Sequence, residues 1–260
     1  MECKNCGYFL YKDHHYCPQC GARIICNRIT LKHLWHDFAQ RYFDLDNTFI
    51  RTFVHLFTRP EAVNDGYIRG VRRRYLNPVS YMGISVALSG ILFFVLRKYY
   101  IDRIDLDVFN SGLPPGTSQK IMAATLDFSS FIFLLFIPVI SVAGWLTFNR
   151  MKYNFPEFII VGVYTLAHYN IFVFPIALGI LITTPERYIS FALMFLLIML
   201  TYTVYSLRRL NAIKLWNGLL RSFAFVLVFL VGYLGISVFI NILLLTLGEL
   251  SLQDFKPVNP

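Results

Sequence analysis

The sequence is poor in charged residues. Asp, Glu, Lys and Arg together make up 15% of its 260 residues, whereas about 25% is usual in soluble domains. Hydrophobic residues make up 56%, and they include 25 Phe and 16 Tyr. A single soluble core cannot bury so much apolar surface. The composition therefore predicts a membrane protein and argues against one soluble globular domain.

Two kinds of sequence signal are also missing. The N-terminal residues contain no apolar core of about 7–15 residues followed by a small-residue cleavage site, so we expect no cleavable signal peptide. The chain has no H-E-x-x-H, no G-x-S-x-G, no P-loop and no Rossmann fingerprint. No catalytic residue is therefore predicted, and we expect the protein not to be an enzyme.

The most prominent feature of the chain is a set of long apolar stretches. Five of them contain 18 to 25 residues each without Asp, Glu, Lys or Arg. As helices they are long enough to cross a hydrocarbon layer of about 30 Å. Buried helices of a soluble protein would rarely repeat this pattern five times. The predicted fold is all-α with about five transmembrane helices, at Val79–Leu96, Phe128–Phe148, Phe158–Ile182, Tyr188–Leu207 and Phe223–Leu247.

The connectors between these stretches predict an orientation. Residues 149–156 and 208–221 contain Lys and Arg but no acid, whereas the long connector 97–127 contains both signs. Basic residues collect on the cytoplasmic side of membrane spans. A cytoplasmic N-terminus puts 18 of the 24 Lys and Arg residues on that side. We therefore expect five crossings, with the tail 249–260 outside. The net charge of +9 is then largely a determinant of topology.

The N-terminus contains two C-x-x-C pairs, each followed by Gly. Four thiolates around one ion form the closed tetrahedral site of structural zinc, and iron is the main alternative for the same ligands. Two disulfides would not persist in a reducing cytoplasm. His14 and His15 lie between the pairs, and we expect both to be solvated. Cys26 is expected to be an inert thiol. The predicted metal ligands are Cys3, Cys6, Cys17 and Cys20.

Few basic residues accompany these cysteines. Lys4, Lys12 and Arg23 are offset by Glu2 and Asp13, which is too little positive charge to follow a phosphate backbone. A unit of this size has almost no core of its own, so metal binding would supply its fold. We therefore expect this cysteine head, residues 1–25, to bind a protein partner and not nucleic acid.

Residues 26–77 are predicted to form amphipathic helices between the head and the first span. Apolar residues from Leu31 recur on one helix face, and a second face begins at Phe49. Such helices lie on the inner membrane surface or pack beneath the spans, although a small soluble helical bundle would show the same faces. Thr58 and Glu61 have the spacing of a capping box, and Asn77 precedes Pro78 as an N-cap.

A basic cluster stands at the end of this segment. Cations at this place attract anionic lipid headgroups. The membrane domain is predicted to follow at residues 78–248. The cluster consists of Arg69, Arg72, Arg73 and Arg74.

The first ninety residues resemble a known family. The cysteine head, "RITLKHLWHDF", "LFTRPEAV" and "GYIRGVRRRYLNPVSY" are similar to a bacterial membrane protein family catalogued as a domain of unknown function. The resemblance implies a multi-pass protein of the bacterial inner membrane with a zinc-ribbon head. It implies no catalytic residue. The sequence departs from the family pattern at Ala22 and Arg23, where Gln or Lys is expected after Gly21.

Few polar residues lie within the predicted spans. His168 is the one ionisable residue, near the centre of the third span, and Asn170 and Asn241 are amides. A histidine at such a place is a functional candidate, but a neutral histidine bonded to a neighbouring helix also stabilises packing, which is the interpretation we favour.

Three functions fit these observations. The leading hypothesis is a non-enzymatic adaptor or sensor whose zinc head docks a protein partner. The first alternative is a small transporter or channel subunit with a polar path near His168, Asn170 and Asn241. The second is an enzyme that binds lipid headgroups through the basic cluster. An oligomer is compatible with all three.

Overall fold

The computed structural model describes residues 2–3, 5–11, 14–21, 45–104, 121–122, 125–126, 129–213 and 215–248. Regular structure in these residues is helical, and none of them forms a strand. The chain divides into two compact units, Met1–Asp46 and Asn47–Pro260. The predicted helix from Leu31, Cys26 and the predicted tail 249–260 lie outside the described residues.

The first unit contains the cysteine head. Its two cysteine pairs form turns, and one antiparallel bridge pairs Glu2 with Phe9. Leu10 is buried together with Cys3 and Cys17, and these three side chains form a small apolar cluster. So small a cluster cannot stabilise a fold by apolar burial alone, which agrees with the expectation that a metal ion supplies the stability.

The second unit is a bundle of helices. The helices are α1 (Leu45–Thr58), α2 (Pro60–Ile68), α3 (Pro78–Val95), α4 (Ser129–Phe148), α5 (Phe155–Thr183), α6 (Ala192–Leu210) and α7 (Leu215–Thr246). Helix α3 continues through a π-helical turn, Leu96–Tyr100, and a 3-10 turn, Ile101–Arg103. Two 3-10 turns, Pro185–Arg187 and Ile189–Phe191, precede α6.

Four helices of the described chain are long and apolar enough to cross a membrane. They lie at Pro78–Tyr100, Phe155–Thr183, Ile189–Leu210 and Asn217–Thr246. The remaining predicted span corresponds to α4, Ser129–Phe148. The prediction of an all-helical fold is confirmed for the described residues, and four of its helices have the length and the apolar composition of membrane spans.

Residues 47–77, which are part of the segment predicted at 26–77, belong to the same compact unit as these helices. Leu56, Val63 and Tyr75 from this segment are buried in one core with residues of α3 to α7. Of the apolar face predicted from Phe49 onwards, Phe49 and Phe53 pack against this core, whereas Ile50 and Val54 are exposed.

Helices α3 and α5 run parallel. Near the start of α3, Tyr81 contacts Tyr164 and His168 of α5. Near its end, Leu92 is buried together with Val173 and Ala177. His168 is central in the sequence of α5, but it lies opposite the first turn of α3, because α5 begins well before the level at which α3 starts.

Of the two predictions made for helix N-termini, one is confirmed and one is wrong. The N-cap prediction for α3 is confirmed, because Asn77 Oδ1 accepts a hydrogen bond from Ser80 N at 2.8 Å. The capping-box prediction for α2 is wrong, since Thr58 Oγ1 donates to Val54 O within α1. The N-cap residue of α2 is Arg59, which makes no side-chain cap. Pro60 occupies the first turn of α2, as expected.

Helix α7 begins eight residues before the last predicted span. The sequence criterion stopped at the charge of Arg221, but the helix begins at Leu215. The guanidinium of Arg221 donates to Thr147 O of α4 at 2.7 Å, so the charge is accommodated against a neighbouring helix.

A four-cysteine cluster and a clamped juxtamembrane segment

The four predicted ligand cysteines come together in the head. Their sulfur atoms all lie within 4.8 Å of one another. Cys3 Sγ is 3.7 Å from Cys20 Sγ, and Cys6 Sγ is 3.6 Å from Cys17 Sγ, so each close contact joins one pair to the other. These separations exclude disulfides, whose sulfur atoms are about 2.05 Å apart.

The spacing fits one tetrahedral metal ion. With metal–sulfur distances of about 2.3 Å, the sulfur atoms at the corners of a tetrahedron are about 3.8 Å apart. The observed contacts of 3.6 and 3.7 Å lie close to that value. Four cysteine sulfurs this close together could hold a metal ion. Among the described residues, no other His, Cys, Asp or Glu belongs to the cluster of four cysteines. His14 and His15 lie outside it.

Matching turns position the two pairs. Gly7 N donates to Cys3 O and Gly21 N donates to Cys17 O, both at 2.8 Å. Each glycine has a positive φ, 73° and 71°, which favours glycine over other residues. The glycine after each pair was therefore an informative sequence signal.

In the second unit, the C-terminal end of α1 is capped by side chains of α6. The last carbonyls of a helix have no partner within the helix and need one elsewhere. Three consecutive carbonyls of α1 accept hydrogen bonds from residues on one face of α6. These bonds are Tyr202 Oη to Leu56 O (3.2 Å), Tyr205 Oη to Phe57 O (2.6 Å) and Arg209 Nη2 to Thr58 O (3.3 Å).

Helix α2 is also tied to the rest of the bundle. Arg209 forms an ion pair with Glu61 at 2.9 Å. Tyr153, which precedes α5, donates to Asp65 Oδ1 at 2.6 Å. Burial raises the pKa of Tyr153, and the hydrogen bond to Asp65 raises it further, so the phenol stays protonated and keeps donating.

The connector from α2 to α3 closes back on α1. Leu76 N donates to the buried Thr52 Oγ1 at 2.9 Å, and Tyr164 of α5 donates to Leu76 O at 2.6 Å. Tyr75 Oη lies 2.8 Å from His55 Nδ1. Residues 47–77 are thus hydrogen-bonded to one another and to two of the candidate spans; we call them the clamped segment.

His168 lies where the clamped segment meets the spans. It is fully buried, and its Nδ1 is 2.7 Å from Tyr81 Oη. The rings of Phe53 and Phe57 from α1 have centroids 4.9 and 4.3 Å from the imidazole, and the ring of Tyr202 is at 5.1 Å. Nε2 has no hydrogen-bond partner in the described part of the chain. His168, which belongs to α5, thus contacts residues of α1, α3 and α6.

The other two predicted intramembrane residues lie elsewhere. Asn170 Nδ2 donates to Ser85 O at 2.8 Å and to the hydroxyls of Ser85 and Ser89, which joins α5 to α3. Asn241 Nδ2 donates to Ser237 O of its own helix at 2.8 Å. The structure does not bring Asn241 together with His168.

The predicted lipid-headgroup residues follow α2. Arg69 forms an ion pair with Asp65 at 2.8 Å. Arg72 and Arg74 lie over the rings of Tyr67 and Tyr75, at 5.7 and 5.6 Å from the centroids. The residues from Arg72 to Arg74 are exposed, so their charges remain accessible to headgroups.

The fold and these sites define a class: an all-helical protein with apolar helices that fit a membrane and a four-cysteine cluster suited to a metal ion. Residues 46–90 match the family described as Protein of unknown function (DUF3667), which confirms the resemblance to a family of unknown function. The matched residues comprise nearly all of α1, all of α2 and the first part of α3. No curated protein and no solved structure matches the chain.

Proposed function

We propose that this protein is a non-enzymatic membrane adaptor or sensor. Its cysteine head binds structural zinc and docks a protein partner, and the clamped segment couples that event to the membrane helices. The observation that carries the proposal is the attachment of α1 to α6 through three consecutive capped carbonyls. The clamped segment is therefore joined directly to the bundle.

The chemistry of the head supports a binding function. Four cysteine sulfurs close the coordination shell of a zinc ion and leave no open position for a substrate. The metal would then stabilise the fold of the head, since its apolar cluster contains only three residues. A metal-stabilised head with aromatic side chains at its surface suits protein contact; Phe9, Tyr11 and Tyr16 are 59–65% exposed.

We further propose that the protein lies in a bacterial inner membrane with its head in the cytoplasm, five crossings and the C-terminus outside. The supporting observation is the lack of acid in two basic connectors, 149–156 and 208–221. Both connectors then lie on the same side as the head, where basic residues collect. Helix α4 provides the fifth crossing.

The docking function is tested with the full-length protein in nanodiscs. We expect a specific bacterial protein to be captured by the wild type, and its capture to be lost in Cys3→Ser and after zinc chelation. His15→Ala, an exposed head residue outside the cluster, is the matched control and should retain the partner. Equal capture by the wild type and Cys3→Ser would contradict the proposal. Tyr205→Phe should keep the partner bound but weaken its effect on hydrogen exchange in α6.

A further inference from the structure

A groove of about 950 Å³ lies between α6 and α7. Its wall is mostly apolar, whereas Glu61, Arg208 and Arg209 line one end. A groove with an apolar wall and a charged end matches an amphiphile. The apolar wall includes Leu197, Leu200, Val204, Leu219 and Val226.

The groove runs along two candidate spans, Ile189–Leu210 and Asn217–Thr246. Its apolar residues are open on one side: Leu197 is 55% exposed and Leu219 is 58% exposed. In a membrane this opening faces hydrocarbon, so an acyl chain can lie against the wall without contact with water.

At the charged end, one cation has no partner among the described residues. Arg209 is engaged by Glu61 and by Thr58 O. Arg208 is half-buried, and in the described part of the chain its guanidinium forms no hydrogen bond or ion pair. With two guanidinium groups and one carboxylate, this end has a net charge of +1, which one phosphodiester would neutralise.

Gly218 on α7 leaves room for the side chain of Arg208. A Cβ at Gly218 would lie 2.8 Å from Arg208 Nε and 3.1 Å from its Cζ. Such contacts are too short, so any side chain at position 218 would displace the guanidinium. The absence of a side chain at Gly218 therefore leaves room for the Arg208 guanidinium, which lines the groove.

We propose that this groove binds an anionic phospholipid, whose phosphodiester accepts hydrogen bonds from Arg208 and whose acyl chain lies along the apolar wall. A choline headgroup would bring a second cation to an end that is already positive. Free phosphate would gain nothing from the apolar wall, and a second copy of the chain would bury the charge of Arg208. The site is separate from the basic cluster Arg69–Arg74 and does not depend on the docking function of the head.

The proposal is tested by native mass spectrometry of the full-length protein in detergent. Phosphatidylglycerol and phosphatidylcholine with identical acyl chains are titrated in parallel, with inorganic phosphate as a third probe. We expect a preference for phosphatidylglycerol that falls about fivefold in Arg208→Gln, the ~1 kcal/mol that a basic residue gains near an anionic lipid. Arg150→Gln, which removes an exposed arginine of the other basic connector, should keep the preference.

A second pair of variants distinguishes loss of the lipid site from misfolding of the protein. Gly218→Ala should lower the preference for phosphatidylglycerol, whereas Gly235→Ala on the same helix should not, because a Cβ there meets no atom within 4 Å. A phosphatidylglycerol with a diazirine on its acyl chain should crosslink near Leu197 and Val226. Equal binding of the two lipids, equal losses in Arg208→Gln and Arg150→Gln, displacement by inorganic phosphate, or crosslinks between two protein copies at these positions would each overturn the proposal.

Discussion

His168 and Tyr81 face each other from two parallel helices, with 2.7 Å between the imidazole Nδ1 and the phenolic oxygen. The ring of Phe57 covers the same imidazole from α1 at 4.3 Å. One buried side chain of α5 thus contacts both the clamped segment and α3.

We expect His168→Phe to lower stability without abolishing insertion. One hydrogen bond between membrane helices contributes about 0.6–2 kcal/mol, and the loss should be of that size. Unfolding in detergent by denaturant, followed by Trp fluorescence, measures it. His168→Gln keeps a donor and an acceptor and should restore most of the stability. A stable His168→Phe protein that loses its cellular function, with no rescue by Gln, would favour the transporter alternative.

We expect the purified protein to contain one zinc ion per chain. Elemental analysis by mass spectrometry measures zinc and iron together and so decides between the two metals. Cys17→Ser removes a buried ligand and should leave the protein with little metal, whereas His14→Ala should keep it. A full complement of iron, or unchanged zinc in Cys17→Ser, would refute the prediction.

We expect Tyr205→Phe to loosen the end of α1. The variant removes one hydrogen bond to a helix carbonyl, which contributes about 0.5–1.5 kcal/mol. Hydrogen exchange of α1 should become several-fold faster in its last turn. Tyr233→Phe is the control, because the Tyr233 ring has aromatic contacts but its hydroxyl forms no hydrogen bond in the described part of the chain. Faster exchange in both variants would mean that the cap has no specific effect.

We expect the contact between His55 and Tyr75 to weaken in acid. Burial lowers the pKa of His55, and the charges of Arg59, Arg74 and Arg51 lower it further. Because the folded pKa lies below the unfolded value of about 6.5, this contribution to stability is complete above that pH and is lost as the pH falls through the folded pKa. The effect is small, since the side chain is partly exposed. Hydrogen exchange of α1 at pH 7 and pH 5 measures it, once each rate is divided by the intrinsic exchange rate at that pH, and His55→Gln should remove the difference between the two corrected values.

We expect reporters at the two ends of the chain to lie on opposite sides of the membrane. A cytoplasmic reporter should be active before Met1, and a reporter that folds only outside the cytoplasm should be active after Pro260. This follows from five crossings and the positive-inside pattern. Both ends on one side would mean an even number of crossings, with α4 as the first helix to reconsider, since it is not one of the four candidate spans found in the described residues.

Patterns that are local in sequence predicted much of this structure. The repeated C-x-x-C-Gly motif brings the four sulfurs together, and charge-free runs locate the long helices. Asn77 caps α3 as its place before Pro78 predicts. In each case the physical cause acts over a few residues, so the sequence pattern contains it.

Contacts between distant residues could not be predicted in this way. Glu61 has the spacing of a capping box, but its carboxylate pairs with Arg209, 148 residues later. The bonds of Asn170 to Ser85 and Ser89 depend on which helices are neighbours. His168 lies opposite the first turn of α3, and this too depends on how far the two parallel helices are shifted along each other. The periodicity of apolar residues in the sequence does not specify that shift.

The capped end of α1 has a consequence for how the chain is made. Tyr202 and its acceptor Leu56 are 146 residues apart. At about 5–20 residues per second, a ribosome needs about 7–30 s to proceed from one to the other. During that interval the last carbonyls of α1 lack the partners that α6 will supply. The clamped segment therefore acquires its final structure late in biosynthesis, after most of the membrane helices have been synthesised.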